Sequence, residues 1–307
     1  MSDKKVVFIL STGHSGSTLL TLILGSHTRV LSLGELIKLH KRIDKPYQDF
    51  PQLCVICKGE CAFWNRQASF SVLQNYFSHQ NKLYSIIRGV SHYHKSIYQH
   101  LFEWSGKEIL VDSSKRVNWI RQQMHPASHW RKMSPKLLFL TRDGRAHINS
   151  ILRKYPNRDA EQVIHKWKTG IEGMRDFYQN FAYDKAAISY EKLASQPFKA
   201  VRALCEFLEV DYQPEMLQYW KHEHHSCGGN LGTRSLIYKY RSQFSKNGTE
   251  SRNKQIEEVK ERHGNYYDEV GLAIRLDLRW KDELSKQQLQ MFEAIAGETN
   301  KPFAHSG

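Results

Sequence analysis

The sequence predicts one α/β domain built on a P-loop-type parallel sheet flanked by helices, and three observations predict it. Lys4 to Ser11 is a continuous apolar run that enters a Gly/Ser-rich turn and then a helical pattern, the order expected of a buried central strand. Further short apolar segments recur downstream, separated by residues at helical spacing, which implies right-handed crossovers and parallel pairing. The 307 residues carry 40% hydrophobic and 12% aromatic side chains with no repeat, low-complexity tract or linker, so a single domain over 1–307 accommodates them.

After the first strand, Ser11-Thr-Gly-His-Ser-Gly-Ser17 forms the strand-to-helix junction, and Thr18 to Ser26 reads as the first helix. Strands are expected at Glu108 to Asp112, Lys136 to Thr141 and Ala187 to Ser189. Helices are expected at Arg145 to Arg153, Asp159 to Phe181 and Glu191 to Leu208, with Asp159 marking a start and Pro197 a bend or restart. From His222 to Asn265 the pattern decays into Gly, Ser, Asn, Lys and Arg, so 222–265 is expected to be a mobile loop region, suited to a lid. Asp282 to Ala296 closes as a helix, and 298–307 is expected to fray.

Composition bounds the function. No apolar run is long enough to cross a bilayer, and the first one leads into the Gly/Ser turn rather than a cleavage site, so a cytoplasmic protein without a membrane partner is expected. Five cysteines, an odd number, argue against a disulfide framework, and Cys205 sits in a helical pattern as core. The net charge of +14 calls for an anionic partner. Eleven Lys/Arg and one acid, Asp143, lie between Lys115 and Arg158, which suits a substrate with several phosphates, a nucleic acid, or simply a solvated basic face.

Two motifs carry the chemistry. Gly13-His-Ser-Gly-Ser-Thr18 lacks the lysine of a Walker A loop but keeps the small residues that let backbone N–H groups approach an anion at a helix N-terminus. It suits a phosphate better than a magnesium-bound triphosphate. Thr141-Arg-Asp-Gly-Arg-Ala146 is followed by Ser150, so that Arg142 leaves a strand end and Ser150 lies on the next helix. In a parallel sheet both motifs emerge at the carboxyl edge, where a guanidinium fork and a hydroxyl can bind a second phosphate. Cys54-x2-Cys57-x3-Cys61 and His222-x-His224-His225-x-Cys227 raise zinc, but three cysteines without an adjacent fourth ligand are an incomplete set, and no metal is expected.

Together the motifs resemble the sulfotransferase superfamily that uses 3′-phosphoadenosine 5′-phosphosulfate (PAPS), in its bacterial and tyrosylprotein-type branches. The first is similar to the 5′-phosphosulfate loop and the second to the 3′-phosphate site. The likeness continues through Leu33-Gly-Glu-Leu36, Val111-Asp-Ser-Ser-Lys115, Ser189-Tyr-Glu-Lys-Leu193 and Gly228-Gly-Asn-Leu-Gly-Thr-Arg234. His14 departs from it, standing where most members have Arg. The resemblance implies that Gly13, His14, Ser15, Gly16, Ser17, Thr18, Arg142, Ser150, Tyr190, Asn230 and Arg234 bind the co-substrate. It also implies that Glu35 is the base, with His14 and Lys115 as cations at the bridging oxygen. An ordinary helix-N-terminal role would also suit Glu35, with His40 further along that helix as its alternate.

The implied acceptor is a small metabolite or carbohydrate hydroxyl or amine, its pocket built from 42–64 and 84–104, while the oligomeric state stays open. Asp112 ends a strand like a Walker B aspartate, so a nucleotide-dependent kinase is the same-class rival, disfavoured by the loop. In the preferred reading Asp112 instead organises the Ser113-Ser114-Lys115 turn. A basic nucleic-acid-binding protein is the different-class rival.

Overall fold

The computed structural model describes residues 4–39, 53–57, 61–64, 71–74, 96–125, 127–242 and 249–305. Its centre is β1 (Lys4–Leu10), whose Val6, Val7, Phe8, Ile9 and Leu10 are all buried, as a strand covered on both faces requires. Strands β2 (Val30–Gly34), β3 (Ile109–Lys115), β4 (Met133–Thr141) and β5 (Lys185–Ser189) complete a five-stranded sheet of order β2-β3-β1-β4-β5. Every pairing is parallel. β2 was not expected. Its Val-Leu-Ser-Leu-Gly is short, and helical and strand periods cannot be told apart over five residues.

The chain turns from β1 through α1 (Ser17–Leu24) towards β2 on one side, whereas β4 lies on the other. That reversal opens a crevice at the carboxyl edge between β1 and β4. Leu10 pairs with Phe139, so the residues just beyond the two strands, including His14 and Arg142, are delivered to the same place.

Helix α2 (Ile97–Ser105) begins at a reciprocal capping box between Ser96 and Gln99 and precedes β3, and α3 (Val117–Gln123) follows it. After β4 come α4 (Gly144–Lys154) and α5 (Ala160–Gln179), the latter capped by Asp159, which accepts from the Glu161 N–H. The expected helix from Glu191 is two helices, α6 (Tyr190–Ser195) and α7 (Pro197–Leu208), broken at Gln196, with Pro197 opening the second.

Two expectations are corrected. The stretch 222–265 is in part helical, with α8 (Leu231–Ser242) and α9 (Thr249–His263) in contact with each other; tertiary packing overrides a weak amphipathic pattern there. The terminal helix also extends further than read. Beyond α10 (Tyr266–Val270) and α11 (Trp280–Glu283), α12 (Lys286–Asn300) starts at a capping box on Ser285 and packs on α5. Its end does not fray: Thr299 and Asn300 are buried, and Phe303 lies edge-on to Phe139.

The basic stretch is not one surface. Lys136 is buried and paired with Asp184 and Glu209, Arg142 pairs with Asp277, Arg145 with Asp143, and Arg121 lies over the Phe177 ring. Lys136, Arg142 and Arg145 are thus paired with acids within the fold rather than presented together as one cationic face. Among the described residues, no helix is long and apolar enough to cross a membrane.

Candidate active site

A cleft of ≈ 920 Å³ opens at the crevice, and most of the residues singled out from sequence line it: Gly13, His14, Gly16, Ser17, Thr18, Glu35, Lys115, Arg142, Ser150, Tyr190 and Asn230. Ser15 is buried behind the loop, its Oγ 2.7 Å from Thr12 Oγ1. Arg234 also stays outside the cleft wall, donating to the Val55 carbonyl at 3.1 Å, so its guanidinium serves to tie segments together.

The loop is shaped for close approach. Gly16 has φ +81°, and a Cβ there would lie 2.6 Å from the Tyr190 ring. On the opposite wall Gly229 has φ +124° and would drive a Cβ to 2.9 Å from Thr18 Cγ2. Thr18 Oγ1 in turn accepts from the Asn230 N–H at 2.7 Å, joining the loop to that wall.

At one end of the cleft, Arg142 donates to the His14 carbonyl at 2.7 Å and to Asp277 at 3.2 Å, and lies 4.4 Å over the Tyr190 ring. Its Nε is buried without a hydrogen-bond partner, a donor suited to an incoming anion. Ser150 Oγ lies 2.9 Å from His14 Nδ1, so the two motifs meet directly. Burial first, then the Lys154, Lys115 and Arg142 charges, lower the His14 pKa to about 4. The expected cation at His14 is therefore a neutral imidazole at neutral pH in the ligand-free protein. Asp277, held by Arg279 through two contacts of 2.7 and 2.8 Å, has its pKa lowered to about 2, because the two guanidiniums overcome its burial.

At the other end, Glu35 follows β2 and accepts from Lys115 at 3.0 Å and Lys38 at 2.8 Å. Burial works to raise its pKa, but the two ammonium groups hold it below the ordinary glutamate value. Glu35 thus remains a carboxylate. The helix expected after it is a single 3₁₀ turn, Leu36–Lys38, and His40 lies outside the described residues, as do 42–52, 58–60 and 84–95 of the expected acceptor pocket.

Lys115 adopts φ +68° at the end of β3, and Asp112 explains how the turn is held. Its fully buried carboxylate accepts from the Ser114 N–H at 2.8 Å, Tyr98 Oη at 2.7 Å and Trp119 Nε1 at 2.7 Å. The carboxylate is committed to scaffolding, as the turn-organising reading expected.

Sequence reasoning missed Lys38, Arg153, Lys154, Tyr266, Tyr267, Arg275, Asp277 and Arg279, which also line the cleft. Most come from segments far along the chain that carry no phosphate-site pattern of their own. The nearest signal was the pair of arginines flanking an acid in Arg275-Leu-Asp-Leu-Arg279.

The model described as the sulfotransferase family matches residues 6–214. Two solved structures cover almost the whole chain: the sulfotransferase domain from the curacin biosynthetic pathway, at 20% identity and TM-score 0.57 over 97% of this chain and 98% of that one, and the sulfotransferase domain of the Synechococcus PCC 7002 olefin synthase, at 18% and 0.54 over 96% and 95%. Stretches of 91 and 105 residues are 29% and 28% identical to a protein-tyrosine sulfotransferase of Drosophila melanogaster and to protein-tyrosine sulfotransferase A of Caenorhabditis elegans. Those matches take in 27% and 31% of this chain, and the chain spans 18% and 28% of the lengths of these two relatives.

Proposed function

The chain belongs to the sulfotransferase family, and on that premise we propose that it transfers a sulfuryl group from PAPS to a hydroxyl or amine of a small metabolite or carbohydrate, in the cytoplasm and without a catalytic metal. One observation carries the proposal: the Gly/Ser loop, the Arg142–Ser150 pair and the Glu35–Lys115 pair all face a single cleft. The glycine-lined walls and the unpartnered Arg142 Nε fit a ligand carrying phosphate at both ends.

When bound, PAPS supplies the activated sulfuryl group; the rest is done by the protein. Arg142 and Ser150 hold the 3′-phosphate. The N–H groups of Gly13 to Thr18 hold the 5′ side. Glu35 takes the acceptor proton as the new bond to sulfur forms. Lys115, released from Glu35 as that carboxylate is protonated, neutralises the charge left on the departing phosphate oxygen. By analogy with the loss of an oxyanion donor, one such contact stabilises the transition state by roughly 3 kcal/mol.

The test is calorimetric binding of PAPS and of its product, 3′-phosphoadenosine 5′-phosphate, followed by an acceptor screen for the mass gain of one sulfuryl group. Stoichiometric binding and one labelled acceptor class are expected; failure to bind either nucleotide would overturn the reading. The partial likeness to protein-tyrosine sulfotransferases favours a phenolic acceptor as the second reading, so tyrosine peptides belong in the screen.

A further inference from the structure

The two cysteine- and histidine-containing motifs that were incomplete in sequence meet in space. Cys54, Cys57, Cys61 and His225 bring one ligand atom each to within 4.8 Å of one another. From these positions we infer that the chain binds one structural zinc ion through three thiolates and the His225 Nδ1 nitrogen, at a site separate from the catalytic cleft.

Distances fit the metal. Zinc–sulfur bonds of about 2.3 Å and a zinc–nitrogen bond of about 2.0 Å in a tetrahedron place each sulfur about 3.5 Å from the nitrogen. Cys57 Sγ and Cys61 Sγ lie 3.4 and 3.3 Å from His225 Nδ1. The Cys57 N–H points back at Cys54 Sγ at 3.3 Å, a backbone donor that stabilises a thiolate.

Surroundings fit it as well. His225 Nε2 lies 3.4 Å from a Glu223 carboxylate oxygen, the outer carboxylate that fixes the tautomer of a metal-binding imidazole and leaves Nδ1 free to coordinate. Phe63 stacks on the same ring at 16°, and Trp64 Nε1 donates to the His225 carbonyl at 3.0 Å, which holds the residue in place. Three soft sulfurs and an imidazole select zinc over magnesium or calcium, and four protein ligands leave no open position, which makes the ion structural.

Its place in the fold gives the ion a task. It would fasten Cys54, Cys57 and Cys61 to His225, and Val55 N–H already donates to the Ser226 carbonyl at 2.8 Å while Cys227 N–H donates to the Leu33 carbonyl at 2.9 Å. Immediately beyond, Gly228 packs against Glu35 and Lys38, and Gly229 and Asn230 line the cleft. The ion would hold the wall behind the base.

The test is elemental analysis of the full chain, purified under reducing conditions without a metal-affinity tag. About one zinc per chain is expected, either as isolated or after titration with zinc against a chromophoric chelator. Cobalt substitution should give the intense absorption of a tetrahedral thiolate site. Zinc uptake should vanish in Cys61→Ser, and Glu223→Gln should weaken it about tenfold through the outer carboxylate, while Cys205→Ala, remote from the cluster, binds as wild type. Failure of the wild-type chain to bind zinc in the titration would overturn the inference, as would an octahedral cobalt spectrum or a disulfide between two of the three cysteines in the reduced preparation. Because the wild-type measurements decide alone, a variant that misfolds does not rescue the idea.

Discussion

The two ends of the cleft carry the same electrostatic arrangement and are built for different work. At one end Asp277 sits between Arg142 and Arg279; at the other Glu35 sits between Lys115 and Lys38. Guanidiniums are rigid forks that stay charged, so the first end suits a fixed anion, and in the proposed reading Asp277 holds the place that a phosphate would take. Ammonium groups on flexible stems can follow charge as it moves, so the second end suits a proton transfer and a departing oxygen. Equal counts of charge do not make equal sites; the identity and stiffness of the cation decide.

The sharpest way to break this comparison is Glu35→Gln. If the carboxylate is the base, kcat falls by about 10² to 10⁴-fold while product affinity is nearly unchanged. A variant keeping more than about a third of wild-type kcat would reduce Glu35 to a counter-ion like Asp277. Since Lys115 and Lys38 lower its pKa, the acidic limb of kcat/KM that reports Glu35 should lie below the ordinary glutamate range, and activity should fall as the pH drops through it.

Next in size is Arg142→Ala, which removes charge-assisted bonds at the other end. Calorimetry should show the bisphosphate product losing about 1.5 to 3 kcal/mol of binding, roughly ten- to 150-fold, while adenosine 5′-phosphosulfate, without the 3′-phosphate, loses far less. Equal losses for both ligands would take Arg142 away from the 3′-phosphate.

A smaller effect belongs to His14. Its pKa of about 4 in the free protein must rise beside bound phosphates, so binding takes up a proton and strengthens as the pH falls, by at most about tenfold per unit. Below about pH 4 the free imidazole is already protonated and the gain stops. Calorimetry in two buffers of different ionisation enthalpy measures the proton, and its persistence in His14→Asn would exonerate the imidazole.

Asp277→Asn should have the least effect and the opposite sign. With the competing carboxylate gone, product binding should tighten by about two- to fivefold, an effect of the size of a partly exposed ion pair. Weaker binding would mean that Asp277 orients Arg142 and Arg279 rather than screening them.

How much was legible follows from where each contact originates. The strand, loop and helix around Gly13 to Thr18 are contiguous, so one window of sequence contains both the geometry and the function, and Arg142 with Ser150 is a second such window. Asp277 and Tyr267 had no such window: Tyr267 lies in α10 and Asp277 between α10 and α11, downstream of the 222–265 stretch and in a segment for which no element was expected. The zinc ligands show the same limit in another form, since Cys61 and His225 stand 164 positions apart and only the fold brings them together. Charge misled for a related reason. Lys136 and Arg145 counted towards a basic patch, but their partners Asp184, Glu209 and, for Arg145, the buried Asp143 cancel them locally.

The docked tail also bears on how the enzyme comes into being. Asn300 accepts the Gly144 N–H at 2.8 Å, and His305 N–H donates to Asp143 at 2.9 Å, so the start of the helix that carries Ser150 is held by residues 156 to 162 positions later. During synthesis the N-terminal part of a chain emerges and begins to fold first. The sheet, the Gly/Ser loop and Arg142 can therefore assemble while translation continues, but the hydrogen bonds that lock α4 in place form only once His305 has left the ribosome. A nascent chain stalled before residue 300 would therefore carry the whole loop motif yet lack the clasp on the start of α4.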